Sequence, residues 1–586
     1  MERVWILAFE CAGIVKVGGL GEAVYNIAKH LAIRGFEVTL FMPSHGVHEN
    51  PDIVETLRLQ DSNTLITGRV GEKGFLPYRH PFTYKIGVHT GSLSGFRVVL
   101  FCGLNDSTSG ILDEEEVYKC GLIEDKSLLL ARGVSGYVDH LYNLGRSPPD
   151  VIHAHDYHAV PAAVLARQKL EIHNHRAALV LTIHLLSGTK CSWKYLGDSW
   201  CGIEDKSHQV YVHGAKLETR HKAVLRKAKL KLESYGAVES DVLASVSKSY
   251  LQEEVMKNIG QGCEEKAAFH WNGCDWDHGR MMEDVLSDFG DDIRNTLGVV
   301  EIMRRDLRRY FLTKAIGNLR AEEPIADGRK LKEVLSSFKR APFIGNGKLQ
   351  PFDEDGPMAL MTGRLTEQKG LDILFRAIPH VLERVPKAKI VLLMLPLEDE
   401  LELMKKSAMM MERYKQSLRI MFGRTPSVYS LAHLASDVFV CPSKWESFGI
   451  MALEAMATGN PVVATAVGGL REIIVDISQD TESGTGILVP KNDYRSLGKA
   501  LASLLAIELM SESCQGASSS QQMQVQEISK AISDDALREI ALRQASYGSR
   551  LRENAIRRVE TTFRWSKTIE MIIEAYDKAI MAANLS

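Results

Sequence analysis

Two separate stretches of this chain alternate short apolar strands with amphipathic helices, and this doubled pattern constrains the fold more than any single motif. In the first stretch Val4 to Phe9 reads as a strand, Gly21 to Arg34 as a helix closed by Gly35, and Glu37 to Met42 as a second strand. Strands recur at Phe96 to Phe101, Val151 to His155 and Ala178 to His184. The second alternation starts near Pro357. It runs through strand Ala359 to Thr362, helix Gly370 to Val385, strand Lys389 to Leu395, a helix around Asp399 to Tyr414 and strand Ser417 to Phe422. Strand Asp437 to Cys441, a helix from Ile450 to Thr458, strand Pro461 to Thr465 and a helix after Gly469 complete it. A chain of 586 residues is too long for one core. The expectation is an α/β protein with two Rossmann-like domains, built on parallel sheets and facing a cleft.

Between the alternations, Asp277 to Arg340 lacks strand signals and reads as helical hairpins. Glu512 to Gln524 is polar and low in complexity, and reads as an irregular, mobile insertion. Phe563 to Ala582 is patterned as an amphipathic helix. The resulting division is 1–275, a helical insertion or linker at 276–345, a second domain at 346–562 and a C-terminal helix at 563–586 that packs back across the cleft.

Composition excludes some classes of function. With 45% apolar, 25% charged and 7% aromatic residues and a net charge of -3, the chain has no global basic field, so neither nucleic-acid nor membrane-surface binding is indicated. The nine cysteines are scattered without a C-x-x-C pair or zinc-ligand spacing, which suits a reducing cytosol. The apolar run at Val4 to Phe9 stops far short of a signal sequence, and no stretch approaches the roughly 18 apolar residues of a membrane span. A cytoplasmic protein is expected.

Chemistry concentrates where strands hand over to helices. Cys441 to Gly459 carries Glu446 in a turn-rich loop and Glu454 one turn into the following helix. Such a loop lies at the carboxyl edge of a parallel sheet, where ligands of open α/β sheets bind. Taken alone, Glu454 could be a surface carboxylate and Glu446 an acid favoured by a helix dipole. Gly363 to Gly370 places Arg364 at a strand end and Lys369 at a helix start, so both cations can converge on one diphosphate. Each would contribute roughly 4 kcal/mol at an effective dielectric near 20.

Lys16 to Gly21 is a glycine-rich loop before the first helix, open enough for a phosphate or sugar to lie against it. A nicotinamide fingerprint fails there, because Val24 stands where the next glycine is required and no acid ends the second strand. His153-Ala154-His155-Asp156-Tyr157-His158 admits a metal reading, a hydrogen-bond donor to a substrate hydroxyl at His155, or a satisfied core histidine. Asp353-Glu354-Asp355 has the form of a D-x-D metal site but lies in a loop before a strand, where three acids are more often solvated.

Together these pieces resemble the glycogen and starch synthase family, retaining glucosyltransferases of GT-B fold. The resemblance is carried by K-x-G-G-L at Lys16 to Leu20, H-x-H-D-x-H at His153 to His158, A-S-V-S at Ala244 to Ser247, N-G-x-D at Asn272 to Asp275, G-R-L-T-x-x-K-G at Gly363 to Gly370, and E-x7-E from Glu446 to Glu454. The insertions and the second glutamate look more like the archaeal branch. The resemblance implies that Lys16, Gly18 and Gly19 line the donor and acceptor side, that Arg364 and Lys369 hold the donor diphosphate, and that Glu446 stands beside the transferred glucose. It further implies that Phe448, Gly449 and Ile450 contact sugar hydroxyls and diphosphate, that Glu454 accepts from ribose hydroxyls, and that His155 contacts the glucose, with Asp125 matching the family's first-domain aspartate. The family's T-x-H-N reads Thr182-Ile183-His184-Leu185 here, so an asparagine contact is lost or supplied otherwise.

The implied reaction moves glucose from UDP-glucose or ADP-glucose to an α-glucan with retention, without a metal or other cofactor. The helical insertion offers a surface for pairing of copies. Two alternatives remain: another retaining GT-B transferase making a small glucoside or a lipid-linked glycan, and a catalytically dead glucan-binding scaffold.

Overall fold

The computed structural model describes residues 2–71, 81–197, 199–319, 323, 329–338, 340–345, 348–396, 400–513, 519–544 and 546–585. The chain forms two compact units, Met1–Gly273 with Trp565–Ser586, and Cys274–Arg564.

The first unit carries strands β1 (Arg3–Leu7), β2 (Glu37–Pro43), β3 (Gln60–Val70), β4 (Phe82–Leu93), β5 (Phe96–Gly103), β6 (Val151–His155), β7 (Ala178–Ile183), β8 (Ser207–Val212), β9 (Ala215–Arg220), β10 (Val242–Ser245) and β11 (Ala267–Phe269). Nine of them make one sheet in the order β11-β10-β7-β6-β1-β2-β5-β4-β3, while β8 and β9 pair as a separate hairpin. From β11 to β5 all neighbours pair parallel. The β5–β4 and β4–β3 steps are antiparallel, so the expected parallel sheet acquires a mixed edge. That edge escaped the sequence pattern because β3 is mostly exposed and polar, with burial confined to two of its residues.

Central strands such as β1, β6 and β7 are buried almost throughout, as strands covered on both faces should be. Their side chains divide between two apolar layers, one on each face of the sheet. The second layer is closed by the C-terminal helix Trp565–Leu585, which buries Trp565, Ile569, Ile572 and Tyr576 beside Val4, Val180 and Val242. The Tyr576 hydroxyl lies 2.8 Å from His153 Nδ1, fixing this helix to β6 in its own unit.

The second unit begins with helices His278–Leu297, Arg304–Thr313 and Arg329–Ser337. After the small pair β12 (Phe343–Gly345) and β13 (Lys348–Leu349) come β14 (Met358–Arg364), β15 (Lys389–Leu395), β16 (Leu418–Phe422), β17 (Val438–Cys441), β18 (Val462–Thr465) and β19 (Gly486–Val489), all parallel in the order β16-β15-β14-β17-β18-β19. Arg308, from the second of those helices, ties this sheet together. Its guanidinium bonds to Asp437 at 2.9 Å, Glu512 at 2.7 Å and Asp355 at 3.2 Å, and is nearly buried. Burial alone would push such a cation toward its neutral form, but the three carboxylates outweigh it and hold Arg308 charged.

Two expectations change here. The polar segment Glu512 to Gln524 is helical at both described ends, in helices Tyr494–Ser513 and Ser519–Ser529, and Glu512 is held by Arg308; Cys514 lies outside the described residues. The D-x-D carboxylates are not poised for a cation, since Asp355 pairs with Arg308 and Glu354 with Lys387 and Lys389.

Candidate active site

In each of the two large sheets the parallel strands ascend outward in both directions from one point, between β14 and β17 in the second unit and between β1 and β6 in the first. Loops leaving the carboxyl ends of such strands diverge and leave a crevice there. Of the residues singled out from the sequence, Lys16, Gly18, His155, Lys369 and Glu446 lie on or beside these loops, whereas Asp125 and Glu454 lie within helices.

In the second unit three loops are laced together. Lys444 N–H donates to the Gln368 carbonyl at 2.8 Å, and Gln368 Nε2 donates to the Trp445 carbonyl at 3.1 Å, joining the loop after β14 to the loop after β17. Gly370 is left-handed at φ +68° and a side chain there would collide with the Pro442 carbonyl; a side chain at Gly468 would collide with the Glu446 carbonyl. The loop after β18 therefore presses on the backbone of the residue at the centre of the site.

At that centre Lys369 Nζ donates to Glu446 Oε2 at 2.8 Å, with both side chains less than a tenth exposed, and Ser443 Oγ donates to the same oxygen at 3.3 Å. Arg364, half-buried at the end of β14, has no carboxylate partner among the described residues. One cation is thus held in place by a carboxylate, and the second, at the end of the preceding strand, has no such carboxylate among the described residues. Gly449, at φ +111°, caps the helix Ile450–Ala457 without a side-chain acceptor, and Phe448 is buried with its ring 6.1 Å from that of Phe563. Glu454, on this helix, accepts from the Tyr429 hydroxyl at 3.4 Å, which lies equally far from Thr362 Oγ1. Burial first, and then the Glu454 charge, raise the Tyr429 phenol well above its usual range, so it stays a donor. Tyr429 was not legible from sequence, since helix Pro426–Ala435 brings it to Glu454 from a different part of the chain.

The first unit builds its crevice differently. Glu10, three residues beyond the end of β1, accepts with its carboxylate from the N–H groups of Val17 at 2.7 Å and Gly18 at 2.9 Å and from the Tyr118 hydroxyl at 2.7 Å. It shapes the loop that opens helix Gly19–Ile33, and no local motif marked it. Gly18 is the extended N-cap of that helix and Gly19 its first residue, while Lys16 bonds to Glu22 at 2.6 Å on the surface. Asp125 is buried in the first turn of helix Ile123–Asn143, beside Lys126. Lys126 Nζ reaches the carbonyls of Glu114 and Glu116 at 2.7 and 2.9 Å and His45 Nδ1 at 3.1 Å, and burial lowers its ammonium to about 8.

The histidines form a buried chain. His153 and His155 share a face with ring centres 4.1 Å apart. The ring nitrogens of His153 meet Tyr576 and Thr182 hydroxyls, each at 2.8 Å, so hydroxyls take the positions a metal would need. His155 Nδ1 lies 2.9 Å from His184 Nε2, and His155 Nε2 is buried without a hydrogen-bond partner among the described residues. Burial drives the basicity of His153, His155 and His184 far down, so all three stay neutral. Asp156, at φ +60°, accepts from the N–H of His184 at 2.7 Å and Leu185 at 3.3 Å, which fixes the turn where the expected asparagine is replaced by a leucine. Among the described residues no helix is long and apolar enough to cross a membrane.

Comparison with known proteins divides along the same line. Residues 3–268 match the starch synthase catalytic domain family, and residues 348–539 match the glycosyl transferases group 1 family. A glycogen synthase of Kosmotoga olearia is 25% identical over 488 residues, covering 83% of this chain and 86% of that protein. A glycogen synthase of Thermotoga maritima is 23% identical over 513 residues, covering 86% and 91%. Among solved structures, the catalytic domain of starch synthase IV from Arabidopsis thaliana, bound to ADP and acarbose, covers 99% of both chains with a TM-score of 0.65 at 19% identity. With one match for each sheet-bearing unit, in that order, and glycogen synthases similar to it over most of its length, the chain is a glycogen synthase-like glycosyltransferase of GT-B fold.

Proposed function

We propose that this chain transfers glucose from a nucleotide-diphosphate glucose, UDP-glucose or ADP-glucose, to the non-reducing end of an α-1,4-glucan with retention of configuration. The observation that carries the reading is the buried Lys369–Glu446 pair at 2.8 Å beside Arg364, at the strand-order reversal of the second sheet. Two cations there suit a leaving diphosphate, and a carboxylate beside them suits the sugar that carries developing positive charge.

A hydrolase that retains configuration places two carboxylates about 5 to 5.5 Å apart, one acting as nucleophile. Glu446 instead has Lys369 and Ser443 as its described partners. We therefore assign a same-face displacement. The bond from glucose C1 to the diphosphate oxygen breaks, the acceptor hydroxyl oxygen bonds to C1, and its proton passes to the departing diphosphate. Arg364 and Lys369 stabilise that diphosphate, and Phe448, Gly449 and Ile450 offer backbone to sugar hydroxyls and phosphate oxygens. Glu454 accepts from the two ribose hydroxyls, its carboxylate oriented by Tyr429. From the first unit, His155 donates from Nε2 to a glucose hydroxyl, Lys16, Gly18 and Gly19 line the donor and acceptor side, and Asp125 matches the family's first-domain aspartate. The archaeal-type subgroup rests on Glu454 and the interior insertions, and the cytoplasmic setting rests on the dispersed cysteines.

The test is incorporation of labelled glucose into a glycogen primer from UDP-glucose and ADP-glucose in parallel, with small-sugar and lipid-linked acceptors as comparison arms. Glucan extension with the α-linkage kept supports the reading. Transfer confined to the small or lipid-linked acceptors, or inversion at C1, would overturn it.

A further inference from the structure

His48, His89 and Cys102 converge from three elements of the first unit, each offering a ligand atom within 4.8 Å of the other two. His48 lies in the helical turn Val47–Glu49 that follows β2, His89 on β4 and Cys102 on β5. In the β4–β5 ladder Cys102 stands opposite Gly87, two residues from His89, so thiol and imidazole share one face. Gly87 has no side chain to shield them, and the Cys102 sulfur lies where a substituent at Gly87 would press.

The His48 ring faces that of His89 with centres 5.1 Å apart. Its side chain is nine-tenths buried, and Nδ1 has no hydrogen-bond partner among the described residues although Asp113 Oδ1 is 3.9 Å away. A buried, unpartnered ring nitrogen is costly unless something else occupies it. Asp113 is itself oriented, accepting from Ser44 Oγ and from Gly103 N–H at 3.1 Å, as metal-binding carboxylates commonly are. Two neutral imidazoles, one thiolate and one carboxylate balance a dication and give the N and S donors that zinc prefers.

We propose that His48, His89 and Cys102, with Asp113 as fourth ligand, form a site for a zinc-class divalent cation that fastens the turn after β2 to the β4–β5 edge. The metal takes no part in glucosyl transfer. A second His-rich group, His208, His221 and Glu239, does not qualify. Its carboxylate is already bonded to both imidazoles and lies 3.4 Å from the Arg167 guanidinium, and its rings stack at 3.8 Å.

The experiment strips the full-length protein with a chelator and titrates it with cobalt(II), then zinc(II). One equivalent of cobalt should bind with a near-ultraviolet thiolate-to-metal charge-transfer band that zinc abolishes, and zinc should raise the unfolding temperature. C102S and H89A should lose the band, while H208A should keep it. Wild-type protein without stoichiometric cobalt uptake, or a band that survives in C102S or disappears in H208A, would overturn the proposal. Should C102S fail to fold, the wild-type titration and H89A still decide. Since the readout is metal uptake, failure of the transfer reaction leaves this result unaffected.

Discussion

The centre of the second unit's site is a buried ion pair, and the histidine chain of the first unit is a set of buried neutral hydrogen-bonding groups. In the second, Lys369 and Glu446 are buried together as an ion pair with Arg364 beside them. In the first, His153, His155 and His184 are buried so completely that burial keeps them neutral, and the one central acid on their loop, Asp156, is pushed up to about 7. A diphosphate leaving group needs fixed cations, whereas sugar hydroxyls need donors and acceptors that do not titrate. Under the proposed function, the buried ion pair suits the diphosphate and the neutral histidines suit the sugar.

The comparison can be broken most forcefully at Lys369. K369A leaves Glu446 buried and unpaired, and should lower stability by about 3–5 kcal/mol in urea unfolding. Adding E446Q should restore part of that loss, and a double variant no better than K369A would show that the pair carries no coupling. Arg364 is the converse case. R364A should lower kcat by at least about tenfold, the step matching 1.36 kcal/mol, with little change in unfolding.

Smaller effects sharpen the picture of the first unit. E10A strips the acceptor from three donors at once and should cost about 1–3 kcal/mol in thermal or urea unfolding, with transfer activity falling as the Gly18 loop loses its shape. An unchanged unfolding curve would remove Glu10 from its role.

The remaining test is a pH dependence. Asp156 has a folded pKa raised by burial to about 7, above its unfolded value, so the folded state binds more protons across that window. Its contribution to stability is fully present below about 4 and is lost as pH rises toward 7. D156N can keep the carbonyl that accepts from His184 and Leu185 without the charge. The stability of wild type relative to D156N should therefore fall from pH 4 to pH 7, and a flat difference would contradict the assignment.

Much of the second unit was legible because its strands are short continuous apolar runs with turn residues at their ends. The strand Lys389 to Leu395 was placed to the residue, and Gly370 to Val385 was recovered as the helix Leu371–Arg384. The β3–β4 edge was not legible, because exposed polar residues break its alternation. The site loops could be located as strand-to-helix handovers, but their importance rests on strand order, which local patterning does not contain. Glu10 and Tyr429 were missed for a related reason: each acts on a partner supplied by tertiary packing. The turn after β7, where Leu185 stands in place of the expected asparagine, is held by the N–H groups of His184 and Leu185 donating to Asp156.

The central claim is that the Lys369–Glu446 pair marks the donor site. The most direct measurement is glucose incorporation into glycogen by K369A/E446Q beside wild type, with both donors and with folding confirmed by circular dichroism. The account predicts a folded variant whose kcat falls by at least about tenfold with either donor. A folded variant with near-normal turnover would contradict it.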